Sequence, residues 1–97
     1  MKTLKIIKGL IEKKRELLAK EYHVKALGIF GSYSRGQSSR KSDLDVLVEF
    51  SEPPTFFKFI ELERHLSRLL GVKVDLVTRN ALKPFIKREI LNETIFL

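Results

Sequence analysis

The 97-residue chain has no cysteine and no tryptophan, a single methionine and only two histidines, His23 and His65. Without cysteine there is no disulfide, no thiolate metal ligand and no cysteine nucleophile. Two histidines argue against a multi-histidine metal centre, so any metal must be held by oxygen, which favours Mg²⁺ or Mn²⁺. Long apolar runs are missing too: nothing approaches the roughly 20 residues needed to cross a bilayer. The short apolar stretches near the N-terminus are broken by Lys5, Lys8, Glu12 and Lys13, unlike a secretory signal. A cytoplasmic location with no membrane partner is the expectation.

What is present fits one small domain spanning residues 1–97. A chain of this length buries only about two-thirds of the surface its unfolded form exposes, enough for a single core. The net charge is +7, and much of the basic excess lies in the first twenty residues, at Lys2, Lys5, Lys8, Lys13, Lys14, Arg15 and Lys20. Such a run reads first as a solvated helix face, although nucleic acid or another anionic partner stays open.

The periodicities predict alternating helices and strands. Leu4, Ile7, Ile11, Leu17 and Leu18 recur at helical spacing over residues 3–21. Val24 to Phe30 reads as a buried strand, Ser32 to Gly36 as a short helical turn, Gln37 to Ser42 as a polar loop, and Leu44 to Phe50 as a second strand. Pro53 and Pro54 interrupt the chain before Thr55, a helix N-cap for Phe56 to Leu70, with Gly71 as the stop. A third strand follows over Val72 to Thr78. A last helix over residues 82–92 carries Leu82, Phe85, Ile86, Ile90 and Leu91 as its apolar positions. The expected fold class is α/β (α+β): a three-stranded mixed sheet flanked by about four helices, in the order α-β-α-β-α-β-α.

Three acids stand out in this frame. Asp43 and Asp45 are two residues apart at the start of a strand, so their side chains share a face while Leu44, Val46 and Val48 take the other. Adjacent carboxylates repel unless a cation neutralises them. Alone, such a pair also suits an ordinary strand edge. Asp75 interrupts the apolar strand Val72-Lys73-Val74-Asp75-Leu76-Val77, where a carboxylate needs a partner. That partner is either a salt-bridging cation, Lys73 or Arg79, or the site formed if this strand lies beside the second one. In the latter case Asp43, Asp45 and Asp75 converge and suit one or two divalent ions.

Gly31-Ser32 closes the first strand ahead of the turn. Glycine allows close backbone approach, and N–H groups at a turn that opens a helix bind phosphate. A lone Gly-Ser is a weak signal. Followed by ten residues and then Asp-x-Asp opening the next strand, it places phosphate donors and metal ligands at neighbouring strand ends.

The stretch Gly31-Ser32-Tyr33-Ser34-Arg35-Gly36 through Ser42-Asp43-Leu44-Asp45-Val46-Leu47-Val48 resembles the signature of the DNA polymerase β-type nucleotidyltransferase superfamily. Within it the chain is most similar to the minimal nucleotidyltransferases, or MNT-domain proteins. The strand around Asp75 and the Leu82-Lys83-Pro84 segment extend the likeness over nearly the whole chain. The resemblance implies a polymerase β-like core. It makes Asp43 and Asp45 the metal-binding pair and Asp75 the third acid, which helps hold the catalytic metal and draws the proton from the attacking hydroxyl. It makes Gly31 and Ser32 the phosphate-contacting pair and gives Arg35 a phosphate or structural role. It further implies two Mg²⁺ ions, ATP as donor, and a HEPN-domain toxin whose tyrosine receives AMP, the chain acting as antitoxin. Self-association stays open. Two other readings do as well: a non-catalytic module that neutralises its partner by contact, and a nucleotidyltransferase acting on RNA ends or a small molecule. Arg40 and Lys41 sit in the loop before Asp43 without an assigned role.

Overall fold

In the computed structural model, which describes residues 3–36 and 43–97, the first helix, α1 (Leu4–Tyr22), starts where Thr3 accepts a hydrogen bond from the Ile6 N–H at 3.3 Å. Its buried stripe is Ile7, Ile11, Leu18 and Tyr22, whose spacings of four, seven and four residues keep to one side of a 3.6-residue helix. Leu17, expected in that stripe, lies beside it and is exposed. His23 adopts a left-handed conformation (φ 56°) and ends the helix, its N–H bonding to the Leu18 carbonyl.

The chain then runs through β1 (Val24–Phe30), the turn at residues 31–36, β2 (Leu44–Phe50), α2 (Phe56–Leu70) and β3 (Val74–Thr78). A short 3₁₀ turn (Arg79–Ala81), α3 (Pro84–Glu93) and β4 (Ile95–Phe96) complete it. Thr55 caps α2 by accepting from the Lys58 N–H at 3.2 Å, as its sequence position predicts, and Gly71 closes the helix.

The sheet has four strands rather than the expected three, in the order β3-β2-β1-β4. β2 and β3 run parallel, joined by the α2 crossover, and the other pairs are antiparallel. The extra strand is two residues long, too short to show a period of its own, and exists because Gly28 and Ile29 pair with Phe96 and Ile95. Residues 31–36 form hydrogen-bonded turns rather than a helix, so among the described residues three α-helices flank the sheet instead of four. The last helix begins at Pro84, and Phe85, expected inside, is 76% exposed.

One sheet face carries the main core. Leu27 and Ile29, Leu44, Val46 and Val48, and Val74 and Leu76 meet Ile7, Ile11 and Leu18 of α1 and Leu62, Leu66 and Leu70 of α2. Each such side chain taken fully out of water contributes about 1.5–3 kcal/mol. On the free edge of β3, the Val74 and Leu76 N–H groups donate to Ser67 and Glu63 of α2. Side chains of the crossover helix thus occupy backbone donors that a bare edge would leave open. By strand alternation Asp45, Leu47 and Asp75 belong to the opposite face.

β4 approaches β1 closely because position 28 has no side chain. A Cβ there would collide with Thr94 Cγ2 and crowd the Phe96 ring. Gly28→Ala should therefore lower stability by about 1–3 kcal/mol, the usual cost of overpacking. Adding Thr94→Ser, which deletes Cγ2 and keeps the hydroxyl that donates to the Ile90 carbonyl, should recover most of the loss in a denaturant-melt double-mutant cycle. Equal losses in the single and double variants would mean that β4 does not set this constraint.

Candidate active site

The site lies where β1 ends and β2 and β3 begin. β2 is antiparallel to β1 and parallel to β3, so Phe30 pairs with Asp45, and Asp45 pairs with Asp75. The sequence separates Asp45 and Asp75 by a whole crossover helix, and the parallel register sets them side by side. Asp43 stands two residues before Asp45, immediately ahead of β2, and is exposed. Its carboxylate is 3.9 Å from the Lys73 ammonium, a solvent-exposed contact of little energetic weight. Asp75 is exposed as well. The salt-bridge alternative for Asp75 is not what forms: Lys73 faces Asp43, and Arg79 pairs with Glu49.

Asp45 is half-buried, and its pKa is raised. Burial is the largest cause, followed by the charges of Asp75 and Asp43, with Arg35 opposing and Glu93 adding a little. The three carboxylates share one end of the sheet without closing on a point: among the described residues, no three acidic, histidine or cysteine side chains are spaced to hold one ion. The donor chemistry nevertheless fits a hard divalent cation. The candidate donors are all oxygen, and the most buried of them is disfavoured as an anion first by burial and then by its acidic neighbours.

Gly31 meets Asp45 directly. Its φ of +74° lies in the left-handed region, and a Cβ there would overlap Asp45 Oδ2. Only glycine lets the turn pass this close to the acid. The turn is tied to itself through the Gly31 carbonyl, which accepts from the Ser34 hydroxyl at 2.9 Å and from the Arg35 N–H at 3.2 Å. Ser34 therefore helps hold the turn together, and Ser32, expected to contact phosphate, is half-buried in the same turn. Tyr33 anchors it in the core at 6% exposure. Arg40 and Lys41 lie outside the described residues.

One participant has no signal in the sequence. Glu93, the last residue of α3, accepts from the Gly31 N–H at 3.0 Å and faces the Arg35 guanidinium at 3.3 Å. It is 62 residues from Gly31, and only the pairing of β4 with β1 brings it there. No local pattern could have found it.

A mixed sheet with a glycine-serine turn beside acids on two neighbouring strands suits nucleotidyl transfer. The chain belongs to the nucleotidyltransferase domain family, whose model matches residues 10–97. It is 49% identical over the full length of both chains to a Methanocaldococcus jannaschii protein provisionally named protein adenylyltransferase MJ0128. It is 41% identical to protein adenylyltransferase MntA of Thermococcus cleftensis, over all of this chain and 98% of that one. Among solved structures, one provisionally described as a minimal nucleotidyltransferase superposes with a TM-score of 0.84 at 34% identity, over 99% of this chain and 97% of the other. A chain from a toxin-antitoxin complex with AMP-PNP superposes with a TM-score of 0.70 at 25% identity, over 88% of this chain and 70% of that one. The polymerase β-like core expected from the motif is thereby established.

The raised pKa of Asp45 has a consequence for stability. The folded chain holds this proton to higher pH than the unfolded chain does, so ionising Asp45 costs stability. The cost enters as pH rises from the ordinary aspartate value of about 3.9 through the raised folded value. Asp45→Asn should remove it, raising the melting temperature at pH 7 without divalent cations. The advantage over the parent should shrink to nothing below the ordinary aspartate range. Melting curves across that interval check this, and an Asn variant less stable than the parent at pH 7 would contradict it.

Proposed function

We propose that this nucleotidyltransferase moves AMP from ATP to the hydroxyl of a tyrosine on a HEPN-family toxin, acting as its antitoxin in the cytoplasm. The observation that carries the reading is the register of Asp45 against Asp75, with Gly31 packed on Asp45. It is supported by relatives named protein adenylyltransferases over their whole length. The similar chain seen in a toxin-antitoxin complex with AMP-PNP supports both the adenine nucleotide donor and the kind of partner.

In this reading the Gly31-Ser32 turn and Arg35 orient the triphosphate, and Asp43, Asp45 and Asp75 hold Mg²⁺, probed below as two ions. Bound there, Mg²⁺ supplies charge neutralisation at the α-phosphate and on the departing pyrophosphate. Asp75, exposed beside Asp45, accepts the proton of the attacking hydroxyl. The hydroxyl oxygen then bonds to the α-phosphorus while the bond to the bridging oxygen breaks and pyrophosphate leaves. Gly31, by touching Asp45, fixes the distance between phosphate and acids, and alignment of this kind supplies much of the acceleration in phosphoryl and nucleotidyl transfer.

The test mixes the protein with ATP, Mg²⁺ and a candidate HEPN-family toxin and follows intact mass. A gain of AMP on a partner tyrosine is expected, with Asp43→Asn and Asp45→Asn each slowing transfer by about 10²- to 10³-fold, the scale for losing a transition-state charge partner. A rate that rises with the square of free Mg²⁺ at low concentration would mark two ions. Toxin neutralised in full by the Asn variants without mass gain would replace this reading with inhibition by contact. AMP or another nucleotide on RNA but not on protein would replace the acceptor.

A further inference from the structure

Building on the phosphate role of the Gly31 turn, we propose that Glu93 is an internal stand-in for the nucleotide's phosphate. It occupies the turn's donors in the free enzyme and must be displaced when ATP binds. The donors meant for phosphate are already engaged. The Gly31 N–H points at Glu93 Oε1, 3.0 Å away, and the Arg35 guanidinium lies 3.3–3.4 Å from both carboxylate oxygens. An anionic group spanning a backbone N–H and an arginine makes the contacts a phosphate oxygen pair would make.

The carboxylate is placed to be exchanged. The Arg35 and Glu93 side chains are 48% and 32% exposed, so neither is locked in the core. Glu93 is the final residue of α3, and Thr94 then turns the chain into β4 with its own hydroxyl bonded to the Ile90 carbonyl. The backbone is thus held by β4 on β1, and the partly exposed Glu93 side chain can be displaced without moving it. Its single charge competes with the several of a triphosphate, so ATP wins at saturation. The bound carboxylate keeps the turn formed when nucleotide is absent, and lowers the apparent affinity by the fraction of molecules in which it must be moved.

The experiment uses the whole chain with ATP and Mg²⁺, without partner. Calorimetry should give Glu93→Gln and Glu93→Ala an ATP dissociation constant about three- to tenfold below the parent's, as removing a competing state requires. In ¹H–¹⁵N spectra the Gly31 amide of the free parent should differ from that of Glu93→Gln, and the two should converge at saturating ATP. In the parent itself, the Glu93 carboxyl ¹³C signal should move toward that of a solvated glutamate as ATP is added, which tests displacement even if the variants fold poorly. Unchanged or weaker ATP binding in the variants, or a Gly31 difference that persists at saturation, would make Glu93 a structural brace and overturn the proposal. If ATP binds but leaves the Gly31 amide of every form unmoved, the phosphate role of the turn falls as well.

Discussion

The parallel pairing of β2 with β3 sets the physical problem that organises this molecule. It brings Asp45 against Asp75 at the same end of the sheet, with Asp43 two residues away. Like charges at such separations repel, and the repulsion grows as water is removed. A fold selected for stability alone would place an aliphatic residue at position 45, as it does at 46, 47 and 48, all buried. The apolar face beneath, built from α1, α2 and three strands, supplies the stability that lets these acids stand together. Cores that tolerate a locally unfavourable site in this way are common in enzymes.

The acids are also constrained from the side of the first strand. Gly31 turns at positive φ directly over Asp45, so the position of the turn at residues 31–36 and that of the central acid are not independent. Glu93 completes the arrangement from a third direction. Its placement depends on β4, and β4 depends on the missing side chain at Gly28. A chain of contacts therefore runs from a two-residue edge strand to the turn and on to the acids. The C-terminal segment belongs to the site as much as the motif does.

Much of this was legible in residue order. The helix caps at Thr55 and Gly71 and the strand from Leu44 to Phe50 follow from local periodicity and turn chemistry. Asp75 was visible as a charge in an apolar strand, and its neighbourhood with Asp45 needed only the parallel register. Four things were not legible. β4 is too short to carry a period and is defined by its partner strand. Residues 31–36 have serine and glycine enough for a helical turn, yet their hydrogen bonds close on Gly31 and Tyr33 and go no further. Glu93 resembles any other acid at a helix end until the sheet is assembled. Likewise the ion pairs of Lys73 and Arg79 depend on side-chain reach across strands, which left the partner of Asp75 open from sequence.

If Asp43, Asp45 and Asp75 form a cation site for nucleotide transfer, the titration of Asp45 itself reports it most directly. Carboxyl ¹³C spectra of the aspartates recorded against pH, first without divalent ions and then with Mg²⁺ and ATP, resolve that one group. Asp45 should titrate above the ordinary aspartate range in the free chain and fall below its free value once the ions and nucleotide are bound. An Asp45 that titrates in the ordinary range and does not respond to Mg²⁺ and ATP would contradict the claim.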